Sequence, residues 1–268
     1  MNSTIGVLGI PFDENSSFLK GPAQAPPRIR EAFHSDSANY FTESGIDLKN
    51  HPDWKDEGDM VFTKDAEIHI QIEDRVSQLL AKYDKGFLLG GDHSITFPIV
   101  SAFHHQRGPL TILHLDAHPD LYDDFDGNPH SHASPFARIM EQELATRLIQ
   151  VGIRTLNRHQ KEQARRFGVE VIEMKNWDAS LKFEFQGPVY LSLDMDVLDP
   201  AFAPGVSHHE PGGFTSREIL TLLQGLRGNF VGADLVEFNP PGDLSGITAM
   251  LAAKLFKELL DVLLRDQQ

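Results

Sequence analysis

Thr111-Ile-Leu-His-Leu-Asp-Ala-His-Pro-Asp120 is the stretch whose reading decides the fold. The apolar, β-branched run from Leu110 to Leu115 predicts a buried strand. It runs out into Asp116, His118 and Asp120, three metal-ligand side chains at i, i+2 and i+4. On a helix i and i+2 point apart. Alternate positions of an extended chain point the same way. The pattern is therefore a strand whose carboxyl end carries metal-ligand chemistry.

Working outward, 268 residues with 40% hydrophobic content suffice for one large domain or two small ones. Lys and Arg total 24 against 39 acidic residues, a formal charge of −15. An acidic surface offers no counter-charge to nucleic acid or an anionic membrane, so neither is an expected partner. Cysteine is absent, which excludes disulfides, zinc–thiolate sites and a cysteine nucleophile and fits a reducing compartment. The opening Met1-Asn-Ser-Thr-Ile-Gly-Val-Leu-Gly-Ile10 has no basic segment before an apolar run. No apolar run approaches the ~20 residues of a membrane span. The expectation is a cytoplasmic globular protein.

Strands are predicted at Ile5–Ile10, Gly86–Gly90, Leu110–Leu115, Arg147–Ile153, Val169–Met174, Pro188–Leu193 and Asn229–Val236. Helices are predicted at Pro27–Phe33, Asp65–Tyr83, Phe97–His105, Ser134–Leu144, Arg158–Phe167 and Ser216–Leu226. A last helix, capped by Ser245, runs to Leu264 with Ile247, Met250, Leu251, Leu255, Leu259 and Leu263 on its core side. Residues 34–60 are polar and weakly patterned and read as surface loop. Strands alternate with helices and no Pro/Gly/Ser-rich linker divides the chain. That pattern predicts one α/β domain over residues 1–268, a three-layer α/β/α sandwich with a mostly parallel sheet.

Four of these strands end in polar clusters. Gly86–Gly90 leads to Gly91-Asp-His93, Leu110–Leu115 to Asp116, His118 and Asp120, Pro188–Leu193 to Asp194 and Asp196, and Phe230–Val236 to Glu237. In an open parallel sheet, ligands bind outside the carboxyl ends of the strands. Four carboxylates and two imidazoles exceed what one tetrahedral zinc takes. They suit two divalent ions, and an oxygen-rich set with some imidazole leans towards Mn²⁺. Four ionised Asp side by side would raise one another's pKa unless compensated, and two divalent cations cancel that charge. Such a pair, ~3.5–4 Å apart, acidifies water and polarises an electrophile, which specifies metal-assisted hydrolysis but not the bond cleaved.

The chain resembles the arginase/agmatinase/formimidoylglutamase (ureohydrolase) family. The resemblance rests on Gly90-Gly-Asp-His-Ser94, Asp116-Ala-His-Pro-Asp120, Ser192-Leu-Asp-Met-Asp-Val-Leu-Asp-Pro200 with Ala203-Pro-Gly205, and Gly232-Ala-Asp-Leu-Val-Glu-Phe-Asn-Pro240, in that family's order. It runs from Gly9-Ile-Pro-Phe-Asp13 to Thr248-Ala249. It implies two Mn²⁺ ions per chain. One is held by His93, Asp116, Asp120 and Asp194, the other by Asp116, His118, Asp194 and Asp196, with Asp116 and Asp194 bridging. It also implies His132, in Ser131-His-Ala133, as proton shuttle, Asp120 as the group that steadies the attacking water, and Glu237 as the carboxylate that holds a guanidinium or amidinium. The family commonly forms trimers or hexamers, so a homo-oligomer is expected.

Three departures bear on substrate. Pro204-Gly-Val-Ser207 is closer to formimidoylglutamase than to the Pro-Gly-Thr-Gly-Thr-Pro of agmatinase and arginase. Asn157 stands where arginase has an acidic residue reading the substrate's α-amino group, and is the candidate to face the substrate's tail. Asp123, Asp124 and Asp126 form an acidic loop that would attract a cationic tail and repel a dicarboxylate; Arg154, Arg158, His208 and His209 offset it where they face the pocket. The leading expectation is hydrolysis of a guanidino substrate such as agmatine to urea and amine. The alternative is formimidoylglutamate, a formimino substrate. An alternative of another class is a non-catalytic, metal-binding oligomeric relative.

Overall fold

The computed structural model describes residues 3–64 and 66–265. Eight strands form one sheet: β1 (Ile5–Gly9), β2 (Trp54–Asp59), β3 (Lys85–Leu89), β4 (Leu110–Leu115), β5 (Ala145–Ile153), β6 (Glu170–Glu173), β7 (Pro188–Asp194) and β8 (Asn229–Val236). Their order is β2-β1-β3-β8-β7-β4-β5-β6, and every pairing is parallel. The helices are α1 (Ala25–Phe33), α2 (Ile68–Lys82), α3 (Thr96–Arg107), α4 (Pro135–Glu141), α5 (Arg158–Phe167), α6 (Ser216–Gly225) and α7 (Ile247–Leu264).

Two apolar cores lie on opposite sheet faces because side chains alternate along each strand. Ile5, Leu113, Leu191 and Leu235 pack with α1, α6 and α7. Leu8, Ile112, Tyr190 and Val236 pack with α2, α3 and α4. Strands β3 and β4 are buried throughout, as expected of parallel strands covered on both faces. This is the expected three-layer sandwich, with a wholly parallel sheet.

Two local expectations are corrected. Residues 34–60 contain β2, whose sequence Trp-Lys-Asp-Glu-Gly-Asp has no apolar alternation. It is an edge strand held by backbone pairing to β1 and by Arg30, which meets Asp56 at 2.6 Å. Helix α7 is capped not by Ser245 but by Asp243, which accepts from Thr248 N (3.2 Å) and Ala249 N (2.8 Å). A carboxylate two residues further back reaches two orphan N–H groups that the serine, 3.4 Å from Ile247 N alone, does not. Ile247 is exposed rather than core, whereas Leu255, Leu259 and Leu263 are buried. Asp65, the first residue expected in α2, lies outside the described residues.

The four strands with polar ends are neighbours, β3-β8-β7-β4, so their carboxyl ends form one continuous edge. The β3 end is pressed against the loop after β1: Gly91 N donates to Ile10 O and Asp92 N to Phe12 O. A Cβ on Gly91 would lie 1.8 Å from the Phe12 carbonyl oxygen. Gly91→Ala is therefore expected to cost about 2 kcal/mol or more in urea unfolding. Gly225→Ala, at a site with open space around the built Cβ, is the control, expected near neutral or slightly stabilising. Equal midpoints for both variants would remove the close-approach argument.

Candidate metal centre

Three of the aspartates are fixed by backbone N–H groups at one oxygen. Asp116 Oδ1 accepts from His118 N (2.5 Å), Asp194 Oδ1 from Asp196 N (2.8 Å) and Asp196 Oδ1 from Ala117 N (3.2 Å). Each such bond fixes the carboxylate's rotation and leaves its other oxygen facing inward. Asp116 Oδ2, Asp120 Oδ2 and Asp194 Oδ2 lie 3.2, 3.1 and 3.1 Å from His93 Nδ1. On the other side of Asp116, His118 Nδ1 is 2.9 Å from Asp196 Oδ2 and 3.5 Å from Asp116 Oδ1. All six expected ligands are thus brought together, in two groups sharing Asp116.

The tautomer of His93 shows what this arrangement lacks. Ser192 Oγ donates to Asp234 Oδ1 at 2.7 Å, so towards His93 Nε2, 2.9 Å away, it accepts. Nε2 therefore carries the hydrogen and Nδ1 presents a lone pair. That buried Nδ1 has no hydrogen-bond partner, although three carboxylate oxygens surround it. Four acceptors facing one another in the interior require a cation between them. Burial opposes charge on His93, yet the carboxylates still drive its pKa well above the ordinary value. Asp194 is raised well above its own by burial and by repulsion from Asp196 and Asp116. The residues fit a pair of hard or borderline divalent ions, with oxygen donors outnumbering nitrogen.

Two orienting groups escaped the sequence reading. His114 also lies within ligand distance of His93 and Asp116, but both its nitrogens are engaged. Nε2 donates to Asp116 Oδ2 at 2.7 Å and Nδ1 accepts from Gln150 Nε2 at 3.1 Å. It holds the Asp116 carboxylate and keeps no ring nitrogen free for a metal. Asp234, fully buried, also accepts from Thr96 Oγ1 and Tyr190 OH, both at 2.8 Å. Both residues sit in quoted motifs, and strand alternation alone did not separate them from core.

Beside the centre, His132 Nδ1 donates to Glu237 Oε1 at 2.8 Å, and His93 N donates to the same oxygen at 2.9 Å. Glu237 Oε2 is buried without a partner. Burial works against a charged His132, but Glu237 pushes its pKa up to about 9. Ser17 works the other way: its N–H points at His132 Nε2 from 3.1 Å and favours a lone pair there. Ser17 Oγ, 2.7 Å from Nε2, is the acceptor for a proton at that atom. Nothing in the sequence marked Ser17; it arrives on the loop after β1. Asp120 and Glu237 both have left-handed backbones, φ 49° and 63°, and non-glycine residues in that region mark positions held by surrounding structure.

One cleft is lined by Ser17, His118, Asp120, Tyr122, His132, Asp194, Asp196, His208, Glu210 and Glu237, among others. The substrate-tail residues expected from sequence mostly lie elsewhere. Asn157 caps α5 by accepting from Gln160 N at 2.9 Å and donates to Tyr122 OH at 2.5 Å; it does not line the cleft. The acidic side chains of the next loop, Asp123, Asp124 and Asp126, do not line it either. Asp123 accepts from Gln163 and Asp124 from Gly127 N, while Tyr122 and Phe125 of that loop face the cleft. Arg154 donates to carbonyls of Gly152, Asp196, Val197, Leu198 and Glu210, Arg158 pairs with Glu162, and His209 bonds Pro204 O. Of the four basic groups considered, His208 alone lines the cleft.

The sequence model of the arginase family matches residues 3–261. Arginase 1, mitochondrial, of Arabidopsis thaliana is 48% identical over 275 residues, covering 96% of this chain and 80% of that protein. Guanidinopropionase of Pseudomonas aeruginosa is 36% identical, covering 97% of this chain and 86% of its own. The solved arginase from Medicago truncatula superposes with a TM-score of 0.91 at 45% identity, covering 98% of this chain and 88% of the other. The plant relatives' names place them in mitochondria or chloroplasts. This overturns the cytoplasmic expectation, which composition could not carry, because a cysteine-free acidic composition suits any reducing aqueous compartment. Among the described residues, no helix is long and apolar enough to cross a membrane.

Asp234→Asn is expected to weaken Mn²⁺ binding about 10–100-fold, read by calorimetric titration. An unchanged affinity would show that the Ser192–Asp234 relay does not set the His93 tautomer.

Proposed function

The chain belongs to the arginase family, and on that premise we propose that it hydrolyses the guanidino group of L-arginine, giving urea and ornithine. The reading is carried by Glu237 Oε2, a buried carboxylate oxygen without a partner on a residue that lines the cleft beside the metal ligands. A guanidinium supplies N–H donors suited to a carboxylate. Relatives named arginase at 45–48% identity favour arginine over the agmatine expected from sequence. The withdrawal of Asn157 and of the acidic loop removes the arguments that had favoured agmatine. Formimidoylglutamate, a dicarboxylate, is disfavoured because no Lys or Arg is among the described residues lining the cleft.

Two manganese ions, bound by His93, Asp116, His118, Asp120, Asp194 and Asp196, would supply an acidified water and Lewis-acid polarisation of the guanidino carbon. Glu237 holds the cationic head and Asp120, at the cleft wall, hydrogen-bonds the attacking water. As the C–N bond breaks, the ornithine nitrogen leaves with a proton, which His132 passes; its contact with Glu237 in the cleft supports that role. Ser17, an exposed residue whose hydroxyl meets His132 Nε2, connects that atom with solvent. We further propose that residues 1–268 act as one domain and assemble as a trimer or hexamer, in keeping with a family that is commonly oligomeric.

Manganese-loaded protein is expected to release urea from L-arginine and to lose that activity on chelation. Glu237→Gln should lower kcat/KM at least about 100-fold. No urea from L-arginine, with two ions bound per chain, would overturn the assignment.

A further inference from the structure

Five carboxylates line the cleft: Asp120, Asp194, Asp196, Glu210 and Glu237. The first three face the histidines of the metal centre, and Glu237 is engaged by His132 and His93 N. Glu210 has no such partner. Its side chain is 41% exposed, and its one nearby basic atom is His118 Nε2 at 4.0 Å, too far for a hydrogen bond. No Lys or Arg pairs with it among the described residues.

Its position is nevertheless built. Glu210 O accepts from Arg154 Nε at 2.9 Å and Nη2 at 2.7 Å, and two residues on, Gly212 N donates to Asp199 Oδ2 at 2.7 Å. The same arginine holds the carbonyls of Asp196, Val197 and Leu198, so the rim at Glu210 is fastened to the segment that carries a metal ligand. A carboxylate is thus held at the cleft mouth with no Lys or Arg paired to it among the described residues.

We propose that Glu210 is a specificity residue that receives an ammonium group on the substrate's tail, so that the site prefers guanidino compounds carrying a second cationic centre. This rests on the guanidino reading of the cleft above. It assigns the tail to the loop between β7 and α6 rather than to Asn157, which does not line the cleft.

The test compares L-arginine with 5-guanidinopentanoate, which is arginine without its α-amino group, on manganese-loaded wild type and Glu210→Gln. The wild type should favour arginine, and the variant should reduce the ratio of the two kcat/KM values about tenfold, mainly through KM. Mn²⁺ affinity, measured in parallel, should be the same in both proteins. An equal loss on both compounds together with weaker Mn²⁺ binding would make Glu210 a support for His118 and overturn the proposal, as would an unchanged ratio. Calorimetric Kd values for the same two compounds keep the two readings separable. A Glu210-dependent preference for arginine without urea release would retain Glu210 and remove hydrolysis. No preference in the wild type would remove Glu210.

Discussion

Mutual repulsion among buried carboxylates is the constraint on which the rest of this structure depends. Asp116, Asp120, Asp194 and Asp196 converge with almost no exposure to water, where unscreened like charges are far costlier than at a surface. The fold does not avoid that cost; it arranges it. Backbone N–H groups hold the outer oxygens, His114 holds one inner oxygen of Asp116, and the His93 lone pair completes a ring of acceptors. The whole arrangement is balanced only when positive charge lies inside it. Metal binding and folding are thereby linked, because ligands gathered without their ions work against the native state.

The surrounding architecture supplies the stiffness this requires. Strands β3, β8, β7 and β4 stand side by side with helices over both faces, so four chain ends share one rim and cannot part without breaking sheet pairing. Gly91 lets the β3 end touch the loop after β1, and Glu237 N closes onto Gly91 O. Ser17, on that first loop, then reaches His132. A residue near the start of the chain thus grips an imidazole from near its middle, and Glu237, which follows the last strand, takes the ring's other nitrogen. The left-handed backbone at Glu237 is kept by these contacts and that at Asp120 by the bond from Phe136 N to its carbonyl, two non-glycine positions held by the structure around them.

The cleft mouth follows a different logic. Its character comes from groups that are left unpaired rather than from those that are paired. Arg154, which a count of charges would set against the acidic wall, gives its hydrogens to backbone carbonyls and serves as a fastener. Asp123 is drawn back towards α5. What remains lining the mouth is Glu210, the aromatic rings of Tyr122 and Phe125, and histidines, with no Lys or Arg among the described residues.

Sequence alone determined the alternation of strands and helices, the parallel sheet, the four polar strand ends and the six clustered acids and histidines. These follow from period-two and period-3.6 patterning and from residue chemistry, both of which are local. Edge strand β2 was illegible because backbone pairing, not side-chain pattern, makes it a strand. The Asp243 cap was illegible because its reach depends on how the chain turns before α7. Tertiary structure alone decided that His114 and Asp234 orient ligands, that Ser17 meets His132, and that Asn157 turns away from the cleft while Glu210 faces it. Each is a contact between residues distant in the chain or a choice among hydrogen-bond partners, and such choices are set by where the sheet's register and loops leave each side chain, which no stretch of residues encodes by itself.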